Sequence, residues 1–529
     1  MRTDLIHVAP GAARITTSWM ALAAAVAATM LTGCMVGPNY TAPRAPLAQT
    51  YRDPGSDSVQ RQEAPPGLAE WWKVFEDPIL NDLVQTAVKQ NPTLQLAAVR
   101  VLESQARLGI AYGLLFPQEQ GAFGAYTRSR LSLNQANTLP GIERNFNDWQ
   151  LGAAAAWEID LWGKYRRGIE SGKAEVLSSV ATYDDALVTL ISTVATEYIS
   201  IRVLEQRLAV ARANVTVQKH GLELAEARFK GGTATELDRT QATTLLRATE
   251  ALIPALQAAI TQGQNRLCVL LGTPPKDLSE TLVAQKDIPR VPTSVVVGIP
   301  ADLLRRRPDI RRTERELAAQ SERIGIATTD FYPSLSLVGD IGFAAEDSGD
   351  LFKGRSFRAF GGPTFRWALL NYGRIENNVR VQDARFQALV ASYENVVLTA
   401  QAEVENAIAG YVGAQRQAAL LTDGVAAAKR AVELADAQYQ GGTADYTRVL
   451  TAQQTLQNEQ DRLVSTRGAV ALNLVSLYRS MGGGWETRGD RVQLDPSIQA
   501  EMRKRTNWGA LLPQATPGVK MHGVGDDNK

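Results

Sequence analysis

Residues that could carry out catalysis are few and scattered in this sequence. The three histidines, His7, His220 and His522, lie far apart, and none belongs to a cluster with metal-ligand spacing. Glu158 and Asp160 are two positions apart, so both carboxylates would share one face of a strand, where they could act as a glycosidase pair. A water-exposed strand face explains the same pair more simply. The sequence also has no Gly-rich phosphate loop with its lysine, and we predict that the chain is not an enzyme.

Composition and charge are those of an ordinary folded protein with several domains. The chain has 529 residues, of which 45% are hydrophobic and 21% are charged. Its formal net charge is +1, and the basic residues are spread along the sequence without forming a stripe. We therefore expect no nucleic acid partner.

The N-terminus has the features of an export signal that ends at a cysteine. Arginines precede an apolar run from Met20 to Leu31, which is too short to span a bilayer and is typical of a signal peptide over residues 1–33. The run ends in Leu31-Thr32-Gly33-Cys34, which resembles the bacterial lipobox. By that resemblance, Cys34 becomes the first mature residue and carries covalent N-palmitoyl and S-diacylglycerol groups, with no other cofactor. An ordinary signal peptide with an incidental cysteine is the alternative.

The residues that follow predict a lipidated N-terminal extension over 34–66. Position 35 is Met and not Asp, which by resemblance to lipoprotein sorting rules favours passage to the outer membrane. The segment is rich in proline and polar residues, and it predicts an extended tether. The other cysteine, Cys268, lies between Leu267 and Val269, where a free thiol is typical of a small buried hydrophobe, so no disulfide is expected.

Two similar copies of one unit make up most of the chain. At an offset of 210 residues Trp157 matches Trp367, and the register holds without an insertion as far as Gly272 and Gly482. Upstream of Trp157 the offset becomes 216, so the copies differ by six residues after Pro117. A length change in one place indicates a loop. We assign repeat 1 to residues 67–284, repeat 2 to residues 285–484 and a polar C-terminal tail to residues 485–529.

Each copy contains two segments in which apolar and polar residues alternate. In the first copy Trp149, Leu151 and Trp157 alternate with Gln150 and Glu158. A period of two predicts strands over about 117–133, 147–161, 333–346 and 357–370. Strands that are apolar on one face and polar on the other fit the wall of a transmembrane barrel, although a half-buried soluble sheet gives the same pattern. Four strands cannot close a barrel, and lipid does not tolerate open edges, so three chains would have to pool twelve strands.

After the second strand of each copy the hydrophobic period becomes seven. One line of apolar residues begins with Val180, Leu187 and Val194, and its counterpart includes Val397 and Val404. A strict period of seven imposes a left-handed supercoil on neighbouring helices. A proline-free stretch over 164–230 predicts a rod on the order of 100 Å long, and Gly-Gly pairs predict its end. The helical hairpins are expected over about 164–272 and 374–482. A solvated coiled-coil scaffold would explain the helices, but not the strands.

The chain resembles the outer membrane factor family, which is TolC-like, and within it the OprM/NodT-type efflux lipoproteins. The resemblance covers the whole mature chain. It rests on Cys34 followed by Val36-Gly37-Pro38-Asn39-Tyr40, on the segment from Gly298 to Ile310, on Phe331-Tyr332-Pro333, and on the segment from Leu477 to Trp485.

The resemblance implies an α+β membrane protein that works as a trimer. Three chains with four strands each would form a 12-stranded outer-membrane β-barrel, continued by a 12-helix periplasmic α-barrel with an equatorial collar. Such a trimer, set in outer-membrane lipid and anchored by Cys34, is the passive exit duct of a tripartite pump for drugs or other small toxic compounds. Its partners would be a periplasmic membrane-fusion adaptor and an inner-membrane RND-type pump.

The resemblance also implies a docking site and a gate at the periplasmic end. The helical tips that dock the adaptor would be the two sister turns Gly231, Gly232, Thr233 and Gly441, Gly442, Thr443. Relatives often line their narrowest ring with aspartates just after the second tip, but the matching positions here are Arg448 and Thr451. Asp238 and Asp445 lie near these positions but not at them. Our hypothesis is that Tyr439, Arg448 and Thr451 take part in the gate; the alternative is that they only cap and pack the turn.

Other functions remain open at this level. A type I protein-secretion outlet and a structural envelope lipoprotein are the alternatives, and the lipobox favours efflux over secretion. Export of soft metals is less expected, because the mature chain has four methionines and no visible methionine relay. The sequence does not identify the cargo or the cognate pump.

Overall fold

A computed structural model describes residues 35–52, 59–61, 67–132, 134, 136, 141, 143–282, 287–298, 300–490 and 492–512. Cys34, His7, His522 and the predicted signal peptide lie outside the described residues. The chain divides into two compact units. The first comprises Met1–Pro43, Glu103–Leu177 and Glu314–Ala391, and the second comprises Arg44–Leu102, Ser178–Thr313 and Ser392–Lys529.

The described part of the chain is built from six strands and ten α-helices. The strands are β1 (Val59–Arg61), β2 (Glu119–Arg130), β3 (Asn145–Ile159), β4 (Val295–Val297), β5 (Ser334–Ala345) and β6 (Phe357–Arg366). The α-helices are α1 (Pro78–Gln90), α2 (Pro92–Gly113), α3 (Lys164–Lys230), α4 (Glu236–Leu270), α5 (Ser279–Leu282), α6 (Pro300–Arg306), α7 (Pro308–Thr329), α8 (Arg374–Gln440), α9 (Tyr446–Ser480) and α10 (Pro496–Arg505). Helices α3 and α8 have 67 residues each, α4 and α9 have 35 each, and α2 and α7 have 22 each.

The first unit contains a four-stranded antiparallel sheet in the order β2-β3-β5-β6. The register aligns residues of like polarity across the sheet: Glu158 pairs with Ser336, and Trp157 pairs with Leu337. One face therefore carries most of the charged residues and the other is largely apolar, as the period of two requires. Strand β6 ends at Arg366, before the predicted end near 370, because the chain turns there and the Trp367 indole N–H donates to the Phe331 carbonyl oxygen over 3.0 Å.

Two facing glycines bring the central strands of this sheet close together. A Cβ on Gly152 would lie 2.5 Å from the carbonyl oxygen of Ile341, and a Cβ on Gly342 would lie 2.5 Å from that of Leu151. Both glycines are on the polar face. Side chains at these two positions would collide with the opposite strand, so this close approach of β3 and β5 requires glycine.

In the second unit the seven-residue lines form the helical core. Leu187, Val194 and Ile201 of α3 are fully buried, as are Val397 and Val404 of α8. Helix α3 also contains an 18-residue apolar window, of which 61% is buried inside the chain. Packing between helices accounts for these apolar residues. The line weakens toward the tip, where Phe229 is 37% exposed.

Shorter elements of the second unit join parts that are distant in sequence. The parallel pair of β1 with β4 was not predicted, because each strand has only three residues. Asp77 caps α1 and also accepts a hydrogen bond of 2.6 Å from the hydroxyl of Tyr198. The predicted polar tail is packed against the rest of the second unit as far as it is described. Arg488 donates a hydrogen bond of 2.7 Å to Asp184, a carboxyl group whose pKa is raised by burial. Helix α10 comes after this contact in the chain.

Candidate gate and docking surfaces

Glu158 and Asp160, the two carboxylates that could form a catalytic pair, both bind neighbouring groups of the protein. Asp160 accepts from the backbone N–H groups of Tyr165 and Arg166 at the start of α3. Glu158 lies 3.5 Å from the ammonium group of Lys164, and both line a cavity of about 310 Å³ at the end of the sheet. Asp160 therefore caps the start of α3, and Glu158 forms an ion pair.

His220 and Cys268 are the histidine and the cysteine that the structure describes. His220 is on the surface of α3 with 87% of its side chain exposed, and Cys268 is buried, as predicted. Within the described ranges no group of three or more His, Cys, Asp and Glu side chains could hold a metal ion.

The first helical tip is a glycine turn closed by backbone hydrogen bonds. Gly232 adopts a φ of +73°, which glycine reaches without strain. Its N–H donates to Phe229 O over 3.0 Å, and the Thr233 N–H donates to Arg228 O over 2.9 Å. This is the Schellman pattern, which satisfies the last carbonyls of α3. Gly231, Gly232 and Thr233 are all exposed.

The second tip has the same geometry. Gly442 has a φ of +72°, its N–H donates to Tyr439 O over 3.0 Å, and the Thr443 N–H donates to Gln438 O over 3.0 Å. Gly441, Gly442 and Thr443 are also exposed. The chain therefore presents two closely similar, solvent-facing turns.

Acidic residues just after the tips serve as helix caps. Thr235 and Asp238 form a reciprocal capping box at the start of α4, with hydrogen bonds of 3.0 and 3.3 Å. Asp445 caps α9 and accepts from the Arg448 backbone N–H over 3.4 Å. The Arg448 and Thr451 side chains lie on the exposed face of α9, where the Thr451 hydroxyl donates to Thr447 O over 2.9 Å.

Tyr439 is the buried centre of the tip, and its principal partner is Arg228. Only 3% of Tyr439 is exposed, and its ring packs edge-on against Tyr446 with 5.3 Å between ring centres. The Arg228 guanidinium lies 4.6 Å from the Tyr439 ring centre and donates to the Tyr439 carbonyl oxygen. Burial raises the pKa of Tyr439; nearby Asp238 raises it further, and Arg228 lowers it.

Arg228 did not emerge from the sequence as a site residue. At the offset of 210 it corresponds to Gln438, so the two copies differ here in the middle of otherwise similar tips. This difference between the two copies could have indicated Arg228 as a site residue. The hydrophobic period does not reveal it, because that period concerns apolar positions and not charged ones.

A row of amides, buried on α3 and half-buried on α9, joins these two helices behind the tip. The Asn214 amide donates to Gln460 over 3.0 Å and the Gln218 amide donates to Gln457 over 3.1 Å. The Thr249 hydroxyl donates to the same Gln457 oxygen over 3.0 Å. Buried polar pairs of this kind fix helix register, because a shifted helix leaves them without partners.

The positions of the second copy that correspond to the α3 members of this amide row do not carry amides. At the offset of 210, Asn214 and Gln218 correspond to Gly424 and Ala428 of α8. Neither of these residues has an amide side chain. The amide row is therefore a feature of one seam and not of the repeat.

Comparisons with known proteins agree with this architecture. The family described as outer membrane efflux protein matches residues 83–273 and 299–483. The pyoverdine export outer membrane protein OpmQ of Pseudomonas aeruginosa is 31% identical, covering 79% of this chain and 88% of its own length. The solvent efflux pump outer membrane protein SrpC of Pseudomonas putida is 32% identical, covering 86% and 96%.

The solved outer-membrane channel OprN superposes with a TM-score of 0.79 at 31% identity, over 86% of this chain and 100% of that one. The two family matches together span most of the chain, and the relatives are efflux proteins of the outer membrane and not enzymes. The structure places this mixed helix-and-sheet chain in the same fold. The chain belongs to the outer membrane efflux protein family, and it is an efflux channel of the outer membrane that extends into the periplasm.

Proposed function

We propose that three copies of this chain form the exit duct of a tripartite efflux pump. The observation that carries the proposal is the two-faced sheet with free edges at β2 and β6. Unpaired strand edges are costly in lipid, and a ring of three four-stranded sheets removes all of them by closing a twelve-stranded barrel. The polar face, with Asp340 and Arg358, would then line water, and the apolar face would meet lipid.

Residues 67–284 and 285–484 are, in this proposal, two copies of one unit that each supply two strands and a helical hairpin. The equal lengths of α3 and α8 and of α4 and α9 support it. Three chains then give twelve long helices for a periplasmic tunnel, and the shorter helices of the second unit would form the collar around it.

The two exposed tips dock a periplasmic membrane-fusion adaptor, which links the duct to an inner-membrane RND-type pump. The tips Gly231-Gly232-Thr233 and Gly441-Gly442-Thr443 are small, solvent-facing and alike in backbone geometry. Repeated surfaces of one shape suit a partner that binds several times around a ring. The pump supplies the energy.

The gate lies just behind these tips, where Tyr439 and Arg228 hold α8 against α3. Arg448 and Thr451, exposed on α9, would complete it by facing the pore of the trimer. Cargo passes through a water-lined duct that does not bind it tightly. Relatives named for pyoverdine export and solvent efflux favour drugs or other small toxic compounds as the cargo class.

Cys34 carries the lipid anchor as covalent N-palmitoyl and S-diacylglycerol groups, and the duct needs no other cofactor. The lipobox-like segment before it supports this assignment.

The test is a deletion strain exposed to a panel of amphiphilic drugs and metals, in a background without other outlets. Wild type should restore resistance, and Cys34→Ala measures the contribution of the anchor. Cys268→Ala is the matched control, because it removes the other, buried cysteine. If deletion sensitises to nothing on the panel while a secreted protein disappears from the medium, the chain is a type I secretion outlet. If it alters only envelope integrity, the chain is a structural lipoprotein.

A further inference from the structure

The first described residues, 35–40, make several contacts with the rest of the first unit, which holds the four-stranded sheet and is called the sheet unit below. The Val36 N–H donates to Trp162 O over 3.1 Å, which sets the segment against the turn between β3 and α3. Met35 packs over Gly163, where a Cβ would lie 2.8 Å from the Met35 Cγ. The Tyr40 hydroxyl donates to the Glu314 carbonyl oxygen over 3.4 Å. This stretch is extended, as expected for a tether, but it is fixed to the protein.

A buried arginine is the receptor for this stretch. Arg167 of α3 has no exposed surface, and its Nη1 and Nη2 atoms donate to the carbonyl oxygens of Pro38 and Gly37 at 3.1 Å each. Glu322 of α7 balances its charge with a hydrogen bond of 2.7 Å. A fully buried guanidinium is costly unless it is paired and hydrogen-bonded, and the backbone of the N-terminal segment supplies two of its acceptors.

Two glycines make room for the contact. Gly37 has a φ of +96°, and a Cβ on it would lie 2.6 Å from the Cα of Gly325. A Cβ on Gly325 would lie 2.3 Å from the Arg167 Cδ and 2.4 Å from its Nε. Only glycine fits at either position, so the segment, the arginine and α7 form one closely packed seat.

The repeat-related set of residues forms no such seat. The counterparts of Arg167, Glu322 and Gly325 are Asn377, Ala106 and Gly109 at the two offsets. Nothing lies within 4 Å of a Cβ built on Gly109. Only the pairing of Arg167 from repeat 1 with Glu322 and Gly325 from repeat 2 has the charge, the counter-charge and the close approach. This is what a chain with a single N-terminal segment needs.

We propose that this seat fixes the membrane anchor at a set position on the sheet unit, with Arg167 as its positioning residue. Cys34 directly precedes Met35, so the residue that carries the acyl groups would be one Cα–Cα step, about 3.8 Å, from a bound residue. The seat adjoins Trp162, which stacks on Tyr332 with 4.7 Å between ring centres. Such aromatic residues are typical of the edge of a membrane barrel. The inference rests on the proposed lipidation of Cys34.

The test measures the mobility of a nitroxide at Thr41→Cys on the purified full-length channel in liposomes. The same chain without this substitution gives the background from Cys34 and Cys268. We expect an immobilised spectrum for the otherwise wild-type chain, and a mobile component in Arg167→Ala and in Gly325→Ala. The repeat-related controls Asn377→Ala and Gly109→Ala should keep the immobilised spectrum. Identical spectra for Arg167→Ala and wild type would contradict the proposal that Arg167 holds the N-terminal segment in place.

Two further measurements keep the result interpretable. A nitroxide at Thr364→Cys in β6 reports the fold of the sheet, and Arg167→Lys is the milder variant if Arg167→Ala disturbs that label. Lysine keeps the charge beside Glu322 but replaces the two terminal nitrogens of the planar guanidinium by a single one, so it cannot reproduce the geometry of both hydrogen bonds and the label at Thr41→Cys should still become mobile. An immobilised spectrum with Arg167→Lys would contradict the bridging role.

The anchor position is tested by inserting six Gly and Ser residues between Cys34 and Met35. If the seat sets the position, accessibility of the nitroxide at Thr41→Cys to a membrane-soluble and to a water-soluble relaxing agent should not change. A shift toward water would mean that the tether, and not the seat, positions the segment. Mass spectrometry of the N-terminal peptide reports the acylation independently. None of these readouts depends on efflux, so a failed seat and a failed transport function are distinguishable.

Discussion

The Arg228 guanidinium lies 4.6 Å from the ring centre of Tyr439, across 211 residues of sequence. This contact joins the end of α3 to the end of α8. A cation over an aromatic ring contributes roughly 0.5–2 kcal/mol. If it stabilises the closed tip, Arg228→Ala should raise the open-to-closed ratio by about two- to thirty-fold. Single-channel recording in planar bilayers should show longer or more frequent open states.

The matched control for this variant is Gln438→Ala, which alters the repeat-related position. It should leave the recordings unchanged. If Arg228→Ala conducts like wild type while charge reversal at Arg448 changes the conductance, the gate belongs to the exposed residues of α9 and not to the buried contact.

The tip should loosen at high pH, because Tyr446 is buried in it. Burial, the largest cause, raises the pKa of Tyr446 to about 12, and Asp436 adds to the shift. The neutral phenol therefore stabilises the packed tip fully below pH 10, the ordinary value, and this stability is lost as the pH rises through about 12. Tyrosinate absorbance and proteolysis at the tips should change together in wild type. Tyr446→Phe should keep the tip resistant to higher pH; equal alkaline sensitivity in both proteins would contradict the assignment.

Removing the centre of the amide row should destabilise the helical unit. Gln457→Ala leaves the buried Gln218 amide without its acceptor, while the Thr249 hydroxyl keeps the Leu245 carbonyl oxygen at 3.1 Å. An unsatisfied buried polar group costs about 1–3 kcal/mol. The half-life of the folded channel at a fixed elevated temperature should fall. Arg247→Ala, the exposed repeat-related control, should have little effect.

Charge on the polar face of the sheet should govern ion preference in the duct. Arg358 lies 3.0 Å from Asp340 and 5.7 Å from the ring centre of Phe123. Arg358→Glu places two carboxylates together at this level and should shift the reversal potential in a salt gradient toward cation preference. Arg355→Glu, in the exposed loop between β5 and β6, is the control. If both variants shifted the reversal potential equally, Arg358 would have no special place in the wall.

The sequence predicted the elements whose residues repeat at a fixed period. The seven-residue lines led to α3 and α8, and the alternation led to β3 and β5, because burial of one face imposes those periods. The alternation did not predict where the strands end. Trp367 continues the apolar alternation of β6, but its indole bonds to Phe331 and the chain leaves the sheet.

Contacts between distant, non-periodic residues could not be predicted in the same way. Arg311 and Arg488 both reach Asp184, and no local pattern relates the three. The seat of the N-terminal segment escaped prediction for another reason. Arg167 binds the carbonyl oxygens of Gly37 and Pro38, and every residue carries a carbonyl, so the acceptors leave no trace in composition.

Because α3 and α8 are equally long, as are α4 and α9, insertions and deletions are restricted to certain parts of the chain. A residue added to α3 but not to α8 would leave the two tips at different heights and rotate one of them by about 100°. Surviving insertions and deletions should therefore accumulate where the copies already differ in length, between β2 and β3 and between β5 and β6. Natural length variants among close homologues should be concentrated in those two loops, while the four long helices keep their residue counts.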